Sequence, residues 1–140
     1  MTETVREKQV LEFELGDETY CVDIAHVAEI VDVDELTVVP NSPRHVEGVM
    51  DLRGKTTSIV DPKSVFGIRD DRESKRIVVF DPDQAEDSEA VGWLVDEVDQ
   101  VVAITPDDVE PAPGDGSDAV QGVIKRDGEF VIWVRPADVP

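Results

Sequence analysis

The chain has 140 residues and a formal net charge of −20, with 33 Asp and Glu residues against 13 Lys and Arg residues. This charge predicts no nucleic-acid partner, because phosphate contacts need a basic face, and no apolar run approaches the roughly 20 residues that span a bilayer. A polar, charged beginning without a signal-peptide pattern predicts a cytoplasmic protein. The single Cys21 offers neither a disulfide nor a zinc cluster.

The acidic composition has two interpretations. One is a strongly cationic partner. The other is a cytoplasm of high salt content, where dense surface carboxylates keep a protein soluble and their mutual repulsion is screened. Because the acidic residues are spread through the sequence and the folding pattern is ordinary, the composition favours the second interpretation, a halophilic source.

The first predicted elements are two strands joined by a tight turn. Residues 10–15 alternate between apolar and charged side chains, and a Gly-Asp-Glu turn leads into residues 19–23, which together predict a β-hairpin. In residues 25–31 the apolar side chains recur at helical spacing and predict a short helix. Residues 36–39 predict a further strand, which two prolines end.

Residues 40–67 contain the densest series of turn and strand signals in the chain. A proline turn, a short apolar strand, an Arg53-Gly54 turn, a second strand through Ile59-Val60 and a helical turn at residues 63–66 follow one another. This order predicts that Arg53 is held at a fixed place between two strands. The charged residues 68–75 predict a connector.

The second half of the chain predicts more strands and a closing hairpin. With roughly ten short strands and at most three short helical pieces, the predicted fold class is mainly β. Strands are predicted at residues 76–81 and 90–98, an acidic loop at 82–89, an apolar segment at 101–104, a loop rich in Pro, Gly and Asp at 106–118, and a hairpin of residues 120–124 and 130–134 around Asp127-Gly128.

An internal repeat emerges when the chain is laid on itself with an offset of 74 residues. Gly48-Val49 then falls on Gly122-Val123, and Gly54 falls on Gly128. Matching glycines are informative because each marks a backbone requirement at a turn or bulge. The single domain, residues 1–140, is therefore expected to hold two β units, about residues 10–67 and 76–139, joined by residues 68–75. Each unit alone would be marginal, so the two should pack together, with a groove at their seam.

No catalytic constellation is found in the sequence. His26 and His45 lack the spacing of a metal pair, and Cys21 lies in a strand, where a small buried residue is favoured over a nucleophile. Neither a phosphate-binding loop nor a nucleophile elbow is present. The sequence therefore predicts no enzyme, no metal and no cofactor.

Glu29 and Arg53 are charged residues set among apolar neighbours. In one interpretation Arg53 pairs with Glu29 or Asp61 only to satisfy a charge, and such a pair adds little net stability. In the other, Glu29 and Arg53 line the seam, where a guanidinium can bind a partner's carboxylate or carbonyl groups. The residues alone leave both interpretations open.

Motifs spread over residues 10–139 resemble the chemotaxis coupling protein family, CheW. The family pattern looks like Y-x-V-D-I, V-x-E-I, P-N-x-P, G-V-x-N-L-R-G and V-D, then G-x-x-V-D-x-V, P-x-P and a final G-V hairpin. Each motif alone is weak, but all of them in this order and spacing are specific. Asp51 stands where the family usually has Asn, and residues 55–58 are more polar than the family's usual apolar run. The matching residues are 20–24, 27–30, 40–43, 48–54, 60–61, 92–98, 111–113 and 122–123.

The resemblance implies two SH3-like five-stranded β-barrels packed over a shared core, and an adaptor without catalytic activity. One surface would bind the cytoplasmic tip of a methyl-accepting receptor, a helical hairpin, in a groove between the barrels. The barrel ends would bind the regulatory domain of the histidine kinase CheA, so that the adaptor is recruited to membrane-associated receptor arrays. Carried over by motif, the groove would be lined by Ile24, Val27, Glu29, Ile30, Arg53, Gly92, Val98 and Val101, and the kinase would contact Glu47, Lys55 and Thr56.

Two alternatives to the chemotaxis adaptor keep the predicted fold but change the partner or the domain context. The chain could be a regulatory adaptor of another two-component system, or a CheV-like protein without its receiver domain. A small enzyme on a β scaffold is disfavoured by the missing constellation of catalytic residues.

Overall fold

The computed structural model describes residues 7–70, 72–81, 90–112 and 120–136. These residues form eleven strands, one α-helix and two 3₁₀ turns, and none of the helical pieces is long and apolar enough to cross a bilayer. The strands are β1 Lys8–Leu15, β2 Glu18–Asp23, β3 Val27–Asp32, β4 Val46–Leu52, β5 Lys55–Val60, β6 Arg76–Phe80, β7 Ala90–Val95, β8 Glu97–Ile104, β9 Val109–Glu110, β10 Val120–Arg126 and β11 Glu129–Val134; the α-helix is α1 Pro62–Phe66, and the 3₁₀ turns are Ile24–His26 and Pro106–Asp108.

The strands form two sheets, which confirms the mainly β fold class. One sheet has six strands in the order β8-β1-β2-β11-β10-β9, and the other has five in the order β3-β6-β7-β5-β4. The five-stranded sheet is a continuous piece of chain, residues 27–95, and it is inserted between the first two strands and the last four strands of the six-stranded sheet. The predicted division into residues 10–67 and 76–139 therefore does not follow the sheets, because β6 and β7 pair with strands from the first half.

The predicted repeat is visible in the backbone of two hairpins. The β4–β5 hairpin has a register shift between Val46 and Gly48, and the β10–β11 hairpin has one between Val120 and Gly122, 74 positions further on. Their turns also match, because Arg53 and Gly54 have φ of 55° and 82°, and Asp127 and Gly128 have φ of 54° and 81°. Glycine at the second turn position avoids the strain that a side chain has at such a φ.

Three apolar cores follow from the alternation of side chains along the strands. In β6, Ile77 and Val79 point into the five-stranded sheet's own core, whereas Val78 and Phe80 point into a core that both sheets share. In β2, Cys21 belongs to the six-stranded sheet's own core, and its two neighbours belong to the shared core. A strand of period two that is buried on both faces reads as a continuous apolar run. The shared core contains Leu11, Phe13, Leu15, Tyr20, Val22, Val60, Val78, Phe80, Trp93, Val95 and Val134.

The two predicted hairpins, the helical turn after β5 and the strand over residues 76–81 are confirmed within a residue or two at their ends. The predicted helix over residues 25–31 is wrong. Only Ile24–His26 make a 3₁₀ turn, and the rest is β3, in which half-buried and exposed residues alternate. The apolar spacing fitted both periods, because a six-residue stretch is too short to separate them.

Two further predictions need correction. Residues 36–39 are not a strand of a sheet, and their only ladder contact among the described residues is a single bridge from Thr37 to Val49. The predicted strand over residues 90–98 is two strands, because Asp96 interrupts it where the chain passes from one sheet to the other. The predicted acidic loop, residues 82–89, and residues 113–118 of the predicted loop at 106–118 lie outside the described residues.

Candidate functional site

A cleft opens between the end of β3 and the beginning of β8, which are edge strands of the two sheets. The chain crosses from the six-stranded to the five-stranded sheet before β3, and it crosses back at Asp96 before β8, so β3 and β8 are the edge strands on this side. The cleft holds a cavity of about 310 Å³. Its lining brings together Ile30 and Val98, which the motifs placed in one groove. The lining residues are Ile30, Lys75, Arg76, Asp96, Glu97 and Val98.

The other predicted groove residues have different surroundings. Ile24 and Val27 are half-buried and pack against the shared core, and neither lines the cavity. Val101 lies further along β8 and is 48% exposed. Gly92 is buried in the middle of β7, and a Cβ atom there would lie 2.7 Å from the Cγ2 atom of Ile77, so it faces the interior of the five-stranded sheet. Gly92 therefore has no surface to offer to a partner.

Arg53, in the β4–β5 turn, pairs with Glu29 in β3, so the pair joins the two opposite edges of the five-stranded sheet. One terminal nitrogen of the guanidinium lies 3.1 Å from the Oε1 atom of Glu29, and the Arg53 side chain is 81% exposed against 26% for Glu29. Asp61, the other partner considered, instead caps α1 by accepting a hydrogen bond of 3.0 Å from the backbone N–H of Lys63. The pair thus fixes the β4–β5 turn against β3 but leaves most of the guanidinium open to a partner.

A buried ion pair that the sequence did not predict lies directly behind the cleft. The Nζ atom of Lys63, in α1, is 2.8 Å from the Oδ1 atom of Asp96, and both side chains are less than 10% exposed. The other oxygen of Asp96 accepts a hydrogen bond of 2.6 Å from the backbone N–H of Gly16, in the β1–β2 turn. Because Asp96 also lines the cavity, the cleft is connected through one side chain to α1 and to the first hairpin.

The connector of residues 68–75 completes this network. Asp70 lies 3.8 Å from the Nζ atom of Lys63, and its carboxylate accepts a backbone hydrogen bond of 2.7 Å from Arg72. That hydrogen bond, together with the charges of Arg72 and Lys63, lowers the pKa of Asp70 below its ordinary value of 3.8. The guanidinium of Arg72 in turn donates to the carbonyl of Gly16 and pairs with Asp17. Asp70 and Arg72 therefore tie the connector to α1 and to the β1–β2 turn.

Three carboxylates gather beside the cleft on the six-stranded sheet. Glu14, Glu97 and Asp99 each have a carboxylate oxygen within 4.8 Å of the others. Burial raises the pKa of Glu14 and of Asp99 above their ordinary values, and nearby acidic charges raise both further. Their shared hydrogen bond raises the pKa of Glu14 but lowers that of Asp99. Glu97 also lines the cleft, so this wall of the cleft is strongly negative.

The two ends of the molecule differ in polarity although they are related by the repeat. At the end of the five-stranded sheet, the predicted kinase-contact residues Glu47, Lys55 and Thr56 are exposed on β4 and β5. At the other end, Phe130 occupies the position equivalent to Thr56, 74 residues later, and is 54% exposed. It borders an apolar cavity of about 580 Å³. Pro111, Ala112 and Val123 belong to the family motifs, but no residue at this end was predicted to contact a partner. The cavity is lined by Glu110, Pro111, Ala112, Val120, Val123, Phe130 and Ile132.

Comparisons with known proteins agree on one family. A family profile described as CheW-like domain matches residues 9–139. The chemotaxis protein CheW of Thermotoga maritima is 29% identical over 137 residues, covering 96% of this chain and 88% of that protein. The chemotaxis protein CheW of Rhizobium meliloti is 30% identical, with 91% and 84% covered.

The fold is similar to that of a solved structure. The crystal structure of the scaffolding protein TtCheW from Thermoanaerobacter tengcongensis superimposes with a TM-score of 0.83 at 30% sequence identity. The match covers 97% of this chain and 89% of that one. The likeness extends to the whole two-sheet architecture, including the side of the molecule where the cleft lies.

Proposed function

Because this chain belongs to the CheW-like domain family, we propose that it is a chemotaxis adaptor, without catalytic activity, that couples methyl-accepting receptors to the histidine kinase CheA. Its matched relatives are named chemotaxis proteins, and the matched structure is titled a scaffolding protein. In this role the chain would be recruited to receptor arrays at the membrane by its partners. Its own task would be to present two or more binding surfaces in a fixed relation.

The observation that carries the receptor part of the proposal is the cleft between the sheets. Ile30 is 37% exposed although it is a large apolar residue, and it lines a cavity together with Val98 of the other sheet. Exposed apolar residues at a concave seam are typical of a helix-in-groove site, in which apolar anchors give affinity and charged residues give register. The charged residues proposed for the second role are Glu29, which precedes Ile30 in β3, and its partner Arg53 in the β4–β5 turn.

The ends of the two sheets are the surfaces proposed for the kinase. The polar end around Lys55 and Thr56 and the apolar end around Phe130 are both exposed. An apolar end with a large aromatic residue supports burial against a partner, because aromatic residues dominate the energy of interfaces. The polar end would contribute orientation more than affinity.

Co-migration on a size-exclusion column tests this function. The protein would be mixed, in molar potassium chloride, with the regulatory domain of the kinase from the same organism and separately with a receptor-tip fragment. We expect a complex with each, and loss of only the receptor complex in Ile30→Asp. Phe130→Ser should weaken only the kinase complex.

The contrary outcomes separate the alternatives. Binding to the kinase domain alone would favour an adaptor of another two-component pathway, whose cleft serves a different partner. Binding to neither would leave the family and fold in place and refute the coupling function.

A further inference from the structure

The inter-sheet cleft has walls of opposite charge. Lys75 and Arg76 lie at the start of β6, on the side of the five-stranded sheet. Glu97 is the first residue of β8, on the side of the six-stranded sheet, and Glu14 and Asp99 lie beside it. Between the walls, Ile30 and Val98 are apolar. A segment lying in the cleft therefore meets a basic side, an apolar floor and an acidic side.

The two opposite charges in this cleft do not neutralise each other. Lys75 and Glu97 line one cavity, yet no pair of their charged atoms lies within 4.0 Å, and among the described residues neither has another salt bridge. Arg76 differs, because its Nε atom lies 3.2 Å from Asp32. Lys75 is therefore an exposed cation at the cavity, with no carboxylate of the described residues within 4.0 Å of its charged atom.

The fold holds these two charges in place independently of each other. The backbone N–H of Lys75 donates to the carbonyl of Val95 at 3.1 Å, and its carbonyl accepts from Val33 at 3.2 Å, so Lys75 is fixed between β3 and β7. Glu97 follows Asp96, whose backbone N–H donates to the carbonyl of Glu14 at 3.0 Å and whose side chain is locked to Lys63. The backbone positions of Lys75 and Glu97 are thus fixed at the cleft, and their exposed side chains are available to a partner.

We propose that the cleft accepts its helical partner in one direction only, by reading two charges on that helix. This inference rests on the proposed receptor function and names the chemistry of the partner. An acidic side chain of the helix contacts Lys75, a basic side chain contacts Glu97, and an apolar side chain between them packs against Ile30 and Val98. A helix turned end for end would place like charges together, which complementary interfaces use to reject wrong arrangements.

Charge reversal on both sides of the interface tests the proposal. The probe is the helical-hairpin tip of a methyl-accepting receptor from the same organism, with its affinity for the intact protein measured by titration calorimetry. Lys75→Glu and Glu97→Lys should each weaken binding about fivefold, the effect of one partly exposed ion pair. Lys125→Glu and Glu129→Lys make the same changes of net charge on the exposed β10–β11 hairpin and should leave the affinity unchanged.

Restoration then identifies the direction of the helix. Each charged residue of the tip fragment is reversed in turn, and we expect one acidic position to restore Lys75→Glu and a different, basic position to restore Glu97→Lys. The sides of the helix on which these two positions lie, relative to its apolar face, give its direction in the cleft. Circular dichroism confirms that each variant is folded, and Lys75→Gln replaces Lys75→Glu if the latter unfolds.

The failure of this inference can be told apart from the failure of the proposed function. If Ile30→Asp abolishes binding while Lys75→Glu and Glu97→Lys stay within twofold of the parent, the cleft binds the receptor but does not read its charges. If Ile30→Asp also binds normally, the cleft is not the receptor site and both proposals are wrong.

Discussion

The Nζ atom of Lys63 lies 2.8 Å from the Oδ1 atom of Asp96, and this pair joins α1 to the point where the chain returns to the six-stranded sheet. Both side chains are almost fully buried, and the remaining oxygen of Asp96 is bound by the backbone of Gly16. Charges so deeply buried require complete pairing, because an unpaired one would lose its hydration without compensation. The junction of the two sheets is therefore held by a buried ion pair as well as by the apolar core.

Removing one residue of the Lys63–Asp96 ion pair should destabilise the fold strongly. Lys63→Met leaves Asp96 buried without its cation, and we expect the free energy of unfolding to fall by about 3 kcal/mol. Urea denaturation at fixed salt measures the change, with Lys125→Met on the exposed hairpin as the control. The double variant Lys63→Met, Asp96→Asn should lose less free energy of unfolding than the sum of the losses of the two single variants, because it retains neither charge of the pair. Equal stability of Lys63→Met and the parent would contradict this account.

The acidic cluster beside the cleft should make stability depend on pH in a definite direction. The pKa of Glu14 in the folded protein is raised above its ordinary value of 4.5, first by burial and then by Asp99. The folded state therefore holds more protons than the unfolded state between 4.5 and the raised pKa, so this group makes the protein less stable as pH rises through that range. Glu14→Gln should be more stable than the parent at pH 7, with a difference that shrinks towards pH 4.5 in thermal unfolding. A difference independent of pH would exclude titration as its cause.

Gly92 should prove to be a packing residue. A methyl group at this position would lie 2.7 Å from Ile77 and 3.3 Å from Ile59, so Gly92→Ala should lower the free energy of unfolding by about 1–3 kcal/mol. Receptor affinity, corrected for the folded fraction, should not change. Ala103→Gly, on the exposed part of β8, is a comparison for glycine–alanine exchange within a strand. Reduced receptor affinity in a fully folded Gly92→Ala protein would show that this residue belongs to the binding surface.

Arg53 should show the opposite behaviour. Its pair with Glu29 is largely exposed on the arginine side, and such pairs contribute at most about 1 kcal/mol to stability. We expect Arg53→Ala to unfold within that range of the parent but to bind the receptor tip about tenfold more weakly. Arg69→Ala, an exposed arginine in the connector, is the matched control. If Arg53→Ala binds normally, Arg53 serves only to hold the β4–β5 turn.

The net charge of −20 should make the fold depend on salt. Repulsion among surface carboxylates is screened over about 8 Å at 0.15 M salt and about 3 Å at 1 M. We therefore expect the midpoint of thermal unfolding to rise as potassium chloride increases from 0.1 M to 2 M. Equal midpoints at both concentrations would argue against the halophilic interpretation of the composition.

Local signals in the sequence were sufficient for the hairpins. The glycines at positions 48, 54, 122 and 128 mark bulges and turns that depend only on a few neighbouring residues, and the structure has them at the expected places. The region of β3 was misread because Ile30 is an apolar residue on the exposed face. Its position reflects the cleft, which no local pattern reveals.

Relations between distant parts of the chain could not be predicted. Lys63 and Asp96 are 33 residues apart, and nothing near either one distinguishes it from the many other charged residues. The repeat indicated two similar units, but similarity does not specify which strands pair, so the insertion of one sheet into the other was missed. The opposite charges of the cleft walls could not be predicted for the same reason, because the walls come from strands that are remote in sequence.

The insertion of the five-stranded sheet also sets the order in which the molecule can be completed during synthesis. All strands of that sheet have been synthesised once residue 95 is made, whereas the six-stranded sheet has only β1 and β2 until residues 97–134 follow. Those two early strands carry Phe13 and Tyr20, which cover the face of the inserted sheet that bears Phe80 and Trp93. The nascent chain thus already contains the two strands that bury the apolar face of the five-stranded sheet, before the rest of the six-stranded sheet is made. A gene truncated at residue 75 would encode neither sheet in full.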